Sequence, residues 1–420
     1  MAKRKIAIIH YTYPPVIGGV EGVIQAHARM LTEDGYKVKI ISGIGESEDK
    51  IEIKVIPQLK SLASVDENLD RKLKKGEVPE KFYKLKEKIF SQVKKELEDV
   101  DVCIIHNVLT MHFNLPFSCA LDELVGRLCS KVKFYLWCHD SSLVNPLYRN
   151  DIPHPNRYPW NILSKFNSKA EYIAISHLRR KQLAKLFSVD LSLIKVVPVG
   201  VNVKSFLGIS ESVWRLAKDK GFFESDLVMF FPSRIVPRKN YELGIKVTKE
   251  MKKMGKRCKF VITAPPDPHN PKTARYFDYL HKLSQDLELE EEVIFLHDWK
   301  NQYGLKLDYT EIKEFYSLCD VLFVTSTQEG FGIPLLEAGV KRVPIVCTNI
   351  ESLSEVVQNY ALKVDLRQDT ATIAKNILKY LQSIPTFSMF KRVILDYSWE
   401  TIYRKYLKKL VDKNAKNRNS

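Results

Sequence analysis

"DVLFVTSTQEGFGIPLLEAG", residues 320–339, reads as a strand, a glycine turn and the start of a helix in twenty positions. The run "DVLFVTS" (320–326) is short and almost continuously apolar, as a strand covered on both faces requires. Gly330 and Gly332 follow it, giving the backbone freedom to come close to a ligand, and Pro334 suits a first helical turn. Two carboxylates flank the turn: Glu329 before it, Glu337 about one turn into the helix. A bare preference of helix N-termini for acids would account for the carboxylates but for neither glycine. The amides from Phe331 through Leu335 are available to hydroxyls or a phosphate, and a carboxylate at Glu337 can accept two hydrogen bonds from a ribose diol.

The same strand-then-helix unit recurs on both sides of this stretch. Upstream, "KIAIIHY" (5–11), "KVKIISG" (37–43), "DVCIIHN" (101–107), "KFYLWCHD" (133–140), "EYIAIS" (171–176) and "IKVVPVG" (194–200) form one series. A second comprises "VMFFPSR" (228–234), "KFVITAP" (259–265), "EVIFLHD" (292–298), "DVLFVTS" and "VPIVCTN" (343–349). Strands separated by helical stretches predict α/β architecture with parallel sheets. The chain therefore reads as two doubly wound, Rossmann-like domains, residues 1–205 and 206–395, with a C-terminal helix at 396–413 returning to the first. Ligands of such sheets gather outside the C-terminal strand ends, which places the expected site in a cleft between facing domains.

Composition agrees. The chain has 420 residues, 45% hydrophobic and 28% charged, too long for one ordinary core and neither disordered nor membrane-spanning. "MAKRKIAIIHYTYPP" is a first strand rather than a signal peptide. The seven cysteines are scattered without CxxC spacing, which suggests reduced, buried thiols and a cytoplasmic setting. The net charge is +16, divided evenly between residues 1–200 and the rest. Residues 71–95 concentrate ten Lys/Arg against three Glu in a helical pattern. That face reads as solvated, with peripheral contact to an anionic membrane as the functional alternative. Nucleic acid is not an expected partner, because no basic-aromatic recognition module accompanies the charge.

Other motifs fall just after strands. In "SRIVPRKNYELGIK", Arg234 and Lys239 sit between a strand end and a helix, where two cations suit a diphosphate. In "YPPVIGGVEGVIQAH", Gly18 and Gly19 open the first helix, without the GxGxxG of a dinucleotide site. His139 and Asp140 of "WCHDSS" end a strand, as does His106. "ISHLRR" (Ser176, His177, Arg179, Arg180) is more ambiguous and reads equally as a capped helix start. Asp99 and Asp101 precede their strand, the wrong edge for a metal-nucleotide pair.

Together these residues resemble the family 4 retaining glycosyltransferases, the glycosyl transferases group 1 of GT-B architecture. The resemblance spans nearly the whole chain and rests on Gly18-Gly19, Arg234, Lys239 and, above all, Glu329 and Glu337. It implies a nucleoside diphosphate sugar held by the second domain. Arg234 and Lys239 would hold the diphosphate, Glu337 the ribose, and Glu329 with Gly330, Phe331, Gly332 and Ile333 the donor sugar, with Leu336 alongside. Gly18 and Gly19 would approach the phosphates, His139 would contact the donor sugar near the acceptor, and Leu296 and His297 would lie beside the base. Glu329, His139, Arg234 and Lys239 are the implied catalytic set. No metal or other cofactor is implied, because cations and helix N-termini would stabilise the leaving diphosphate.

The implied reaction moves a hexosyl group, mannose or glucose, from a donor such as GDP-mannose or UDP-glucose to a hydroxyl of a sugar-containing acceptor. No side chain is an evident nucleophile, so a same-face substitution is preferred. A nucleotide-sugar epimerase and a non-catalytic nucleotide-sugar-binding protein are the alternatives on the same fold. The chain departs from the family at Ala264-Pro265-Pro266, where a glycine-rich turn is common, at Asn202, where aspartate is frequent, and in the long loop 144–161. In that loop Asn156, Arg157 and Tyr158, with Asp140 nearby in sequence, are the candidate acceptor contacts.

Overall fold

The computed structural model describes residues 3–263 and 271–412 and sets the apolar runs side by side as parallel strands. Seven form one sheet: β1 (Lys5–Ile9), β2 (Lys37–Ser42), β3 (Glu52–Val55), β4 (Val102–His106), β5 (Lys133–Cys138), β6 (Glu171–Ala174) and β7 (Ile194–Val196), in the order β3-β2-β1-β4-β5-β6-β7. Six form a second: β8 (Leu227–Phe231), β9 (Cys258–Ile262), β10 (Val293–Phe295), β11 (Val321–Val324), β12 (Ile345–Thr348) and β13 (Leu362–Val364), in the order β10-β9-β8-β11-β12-β13. The chain divides accordingly into two compact units, Met1–Gly200 with Trp399–Ser420, and Val201–Ser398. The expected class, two doubly wound α/β domains, is the observed one.

Covering both faces of a sheet explains its composition. Every residue of β8 is buried, and Phe230 and Phe231 lie in the core of the second unit; each fully buried side chain of that size contributes about 1.5–3 kcal/mol. The first unit has a core on each sheet face. One of them includes Ile402, Leu407, Leu410 and Val411 from the C-terminal segment. That segment is pinned where Tyr135 donates to the Leu410 carbonyl at 2.7 Å and Arg4 to the Val411 carbonyl at 2.8 Å. All seven cysteines are free, and only Cys129 is not buried.

Four details differ from the sequence reading. Strands β3 and β13 were not anticipated: both are short edge strands, and β3 buries no residue fully. "EVIFLHD" is a strand only to Phe295, after which a helix, Leu296–Tyr303, starts at once. The basic stretch 71–95 is two helices, Glu67–Lys74 and Glu80–Glu96, because Gly76 adopts φ +86° and Pro79 caps the second. Much of its charge is locally paired: Lys74 with Asp70 at 2.9 Å, Lys84 with Glu80 at 2.8 Å, and Lys86 with Glu123 at 2.5 Å. No helix among the described residues is long and apolar enough to cross a membrane. Ala264, Pro265 and Pro266 lie outside the described residues.

Candidate functional site

Each sheet reverses strand order once, between β1 and β4 in the first unit and between β8 and β11 in the second. Crevices at such switch points, at the C-terminal strand ends, are where ligands of open α/β sheets sit.

In the first unit the loops after β1 and β4 enclose a pocket of about 410 Å³ lined by His10, Thr12, Gly19, Glu21, Lys60 and Asn107 among others. Gly18 is extended (φ −164°) and precedes the helix Gly19–Glu33. A Cβ at Gly18 would fall 2.1 Å from a carboxylate oxygen of Glu21, whereas at Gly19 it would meet nothing within 4 Å. Glu21 accepts from the Thr12 hydroxyl at 2.5 Å and lies 3.8 Å from His10 Nε2. The glycine pair thus comes with a carboxylate, which the sequence reading did not single out.

Beside this pocket lies a cluster of histidines. His106 Nδ1 and His139 Nε2 share a hydrogen bond of 2.9 Å, and His10 Nδ1 bonds the His106 carbonyl at 2.8 Å. Burial pushes His139 down to about 3, with His10 and His27 adding to the effect, so it is neutral at ordinary pH. Asn107, in the left-handed region (φ +60°), accepts from the amides of His139 and Asp140 at 3.0 and 2.8 Å, fixing the end of β5. Asp140 is held by Arg179 at 2.9 Å and by Asn145 at 2.7 Å, so its carboxylate braces the loop. Ser176 caps the helix His177–Phe187, bearing out the structural reading of "ISHLRR". Asn202 likewise caps Val203–Leu207 through the Ser205 amide at 3.0 Å, a task aspartate performs equally well.

The acceptor candidates are not gathered in one place. Asn156 lines an opening of about 590 Å³ with Arg149, Asn150 and Ile152. Arg157 and Tyr158 are not among its lining residues; Arg157 is exposed, and the Tyr158 ring stacks on Tyr83 at 6.5 Å, against the helix Glu80–Glu96.

In the second unit the loops after β8 and β11 bring together residues ninety positions apart. A tight turn, Pro237–Lys239, is ended by Asn240 in the left-handed region (φ +51°), and it folds Lys239 inward until 7% is exposed. The Lys239 ammonium meets the Glu329 carboxylate. Ser326 donates to the same carboxylate oxygen at 2.7 Å, and Arg238 donates to the other at 3.1 Å. The two loops are also stitched through their backbones: Thr327 N–H to the Arg238 carbonyl at 2.8 Å, and the Thr325 hydroxyl to the Lys239 carbonyl at 2.8 Å. Arg234 is exposed on the same loop, close enough to bear on Lys239.

Electrostatics follow from this packing. Burial pushes the Glu329 carboxyl upward, but Lys239, Ser326 and Arg238 outweigh it and hold it below the usual carboxylate range. Burial pulls the Lys239 ammonium below its ordinary value by more than Glu329 restores, with Arg238 and Arg234 pushing the same way. The result is a concentration of cations at a strand end with one internal carboxylate.

The glycine turn behaves as two different positions. Gly332 sits at φ +94°, and a Cβ there would fall 2.7 Å from Leu353 Cδ2; Gly330 faces open space. After it the helix Ile333–Lys341 begins. Pro334 has no N–H and the Leu335 amide is committed to the Gly332 carbonyl at 2.9 Å, so the donors left at this end are Phe331, Gly332 and Ile333. The side chains of Phe331, Ile333 and Leu336 are exposed by half or more. Glu337 accepts from the Tyr316 hydroxyl at 2.7 Å.

Residues 212–391, nearly the whole of this unit, match the family of glycosyl transferases group 1. That stretch is similar to the group 1 glycosyltransferases. An O-antigen chain mannosyltransferase of Salmonella typhimurium is 24% identical over 232 residues, 55% of this chain and 56% of that protein, so the match spans little more than half the relative's length. An uncharacterised glycosyltransferase of Methanocaldococcus jannaschii is 24% identical over 375 residues, 84% of this chain and 83% of the other. The mannosylglucosylglycerate synthase of Petrotoga mobilis is 24% identical over 335 residues, 76% of this chain and 72% of that one.

Within residues 212–391, Arg234, Lys239, Glu329 and the glycine turn are brought to neighbouring strand ends. Leu296 is a correction: it is fully buried, because the helix begins there and turns its side chain into the core, while His297 is exposed. Arg238 and Tyr316 were missed. Arg238 adjoins Lys239 in sequence, but its partner Glu329 is 91 residues away. Tyr316 has a signal in retrospect, since Tyr309 and Tyr316 are spaced two helical turns apart.

Proposed function

We propose that this chain transfers a hexosyl group, mannose in the first instance and glucose as the second choice, from a nucleoside diphosphate sugar to a hydroxyl of a sugar-containing acceptor. The observation that carries the reading is the convergence of Arg238 and Lys239 on Glu329, with Arg234 exposed on the same loop, beside an open glycine turn in the stretch similar to group 1 glycosyltransferases. Departure of a nucleoside diphosphate leaves more negative charge on the phosphates, and preorganised cations with helix-terminal amides stabilise that charge without a metal. One such donor is worth about 3–4 kcal/mol in comparable oxyanion sites. Mannose is preferred because the Salmonella and Petrotoga relatives carry mannosyl names.

Glu329 enters this reading with a doubled task. In the unliganded protein it neutralises Lys239; with donor bound, the phosphates take over as the anion beside Lys239 and one carboxylate oxygen is released to a sugar hydroxyl. Among the described residues no unpaired side-chain nucleophile accompanies it, which favours same-face substitution with retention. The test is transfer with GDP-mannose, UDP-glucose and ADP-glucose, followed by release of nucleoside diphosphate and by the anomeric configuration of the product. Lys239→Ala and Glu329→Ala should each lower turnover by at least a hundredfold. Full activity in both variants, or an inverted product, would overturn the assignment.

A further inference from the structure

Glu337 is the acid for which a ribose was expected, and the structure shows how it is held. Its neighbour is the helix Tyr309–Leu318, whose residues 309 and 316 share one face. Tyr316 is 2% exposed, and its ring packs edge-on against Phe230 of β8 at 5.1 Å and 88°. With the ring fixed, its hydroxyl points to Glu337 Oε2 at 2.7 Å and also reaches the Pro334 carbonyl at 3.3 Å. Tyr309, largely exposed, lies beside the same carboxylate.

A carboxylate has two oxygens and about four lone-pair sites. An unrestrained glutamate turns freely about its last torsion, and binding a diol in fixed geometry would cost that freedom. A buried tyrosine that holds one oxygen removes the rotation beforehand, while the exposed Tyr309 hydroxyl, which also hydrogen-bonds to Glu337, is one a ligand can displace. Burial and the Glu337 carboxylate both raise the Tyr316 phenol, so it stays a donor throughout the working pH range.

We propose that Tyr316 is a positioning residue for Glu337, holding Oε2 so that Oε1 presents to a vicinal diol of the donor's nucleotide. The inference rests on the donor-site reading above and adds the residue that sets its selectivity for a ribose. Tyr316 itself touches no reacting atom.

The experiment is titration calorimetry on the full chain with UDP, GDP, ADP and their 2′,3′-dideoxy counterparts. Wild type should bind the ribonucleotide of the preferred base at least tenfold more tightly than the dideoxy form. Tyr316→Phe should weaken the ribonucleotide about tenfold and leave the dideoxy form within twofold, so that the preference collapses. In turnover the donor KM should rise while kcat stays within about twofold. Glu337→Gln should lose the preference as well, and adding Tyr316→Phe to it should cost little more. Equal weakening of both nucleotide forms, or an unchanged preference, would show that Tyr316 merely packs. If wild type binds none of UDP, GDP and ADP, the donor reading falls and takes this inference with it, an outcome distinct from binding without ribose preference. Should Tyr316→Phe fold poorly by circular dichroism, Glu337→Gln alone decides: retained ribose preference refutes the proposal.

Discussion

His27 offers a prediction whose size follows from its surroundings. It lies on the helix Gly19–Glu33, fully buried, and neither ring nitrogen has a hydrogen-bond partner. Its neighbours are rings: Trp137 at 4.6 Å, His106 at 5.4 Å and Trp399 at 5.6 Å. Burial lowers it from an ordinary 6.5 to about 3. At pH 5 the unfolded chain therefore binds nearly a full proton at this site and the folded chain almost none. The unfolded state binds more protons, so stability rises with pH across this window. The contribution is complete above pH 6.5 and is lost as pH falls toward 3. At pH 5 the loss is about 1.36 kcal/mol per unit over roughly 1.5 units, about 2 kcal/mol. The figure depends little on how far below 5 the folded value lies. Urea denaturation of wild type and His27→Leu at pH 7.5 and 5.0, followed through the first unit's transition, measures it. The variant should gain about 2 kcal/mol on wild type between the two conditions. His10, His106 and His139 titrate in both proteins and largely cancel. An advantage that is the same at both pH values would refute the reasoning.

Other expectations follow from single contacts. Gly332→Ala should cost about 1–3 kcal/mol, since it combines a left-handed backbone with a Cβ pressed against Leu353, whereas Gly330→Ala should stay within about 0.5 kcal/mol. Thermal denaturation of the two variants side by side checks this. Lys391 and Asp320 form a buried pair at 3.1 Å, and Asp320 also accepts from the Val228 amide at 2.7 Å. Lys391→Met should cost about 3–5 kcal/mol at pH 7.5 by leaving a buried charge. Burial already raises the Asp320 carboxyl despite Lys391, and a folded-state acid with a raised pKa takes up protons on folding. The deficit in Lys391→Met should therefore shrink as pH falls to 5, and a deficit that grows would contradict the account.

The interior strands were legible in the sequence because helices cover both faces of each sheet, leaving no polar alternation to dilute the signal. Strands β3 and β13 were not, since edge positions relax that demand. Leu296 was misplaced for the converse reason: "VIFL" is apolar throughout, and nothing local marks Phe295 as the last strand residue. At the site, spacing located Arg234, Lys239, Glu329 and Glu337, but not their partners. The Arg238–Glu329 and Tyr316–Glu337 contacts arise only when β8 and β11 become neighbours and the helix preceding β11 packs beside the one after it.

The central claim is that the loops after β8 and β11 hold a nucleoside diphosphate sugar. Calorimetric titration of wild type, Lys239→Ala, Glu329→Ala and the double variant with GDP and UDP tests it most directly. The account predicts micromolar binding of one nucleotide by wild type and a loss of tenfold or more in Lys239→Ala. Glu329→Ala should also bind less well, because a buried ammonium without its carboxylate gives up its proton more readily, and the double variant should lose little beyond Lys239→Ala. Nucleotide binding that survives undiminished in Lys239→Ala would contradict it.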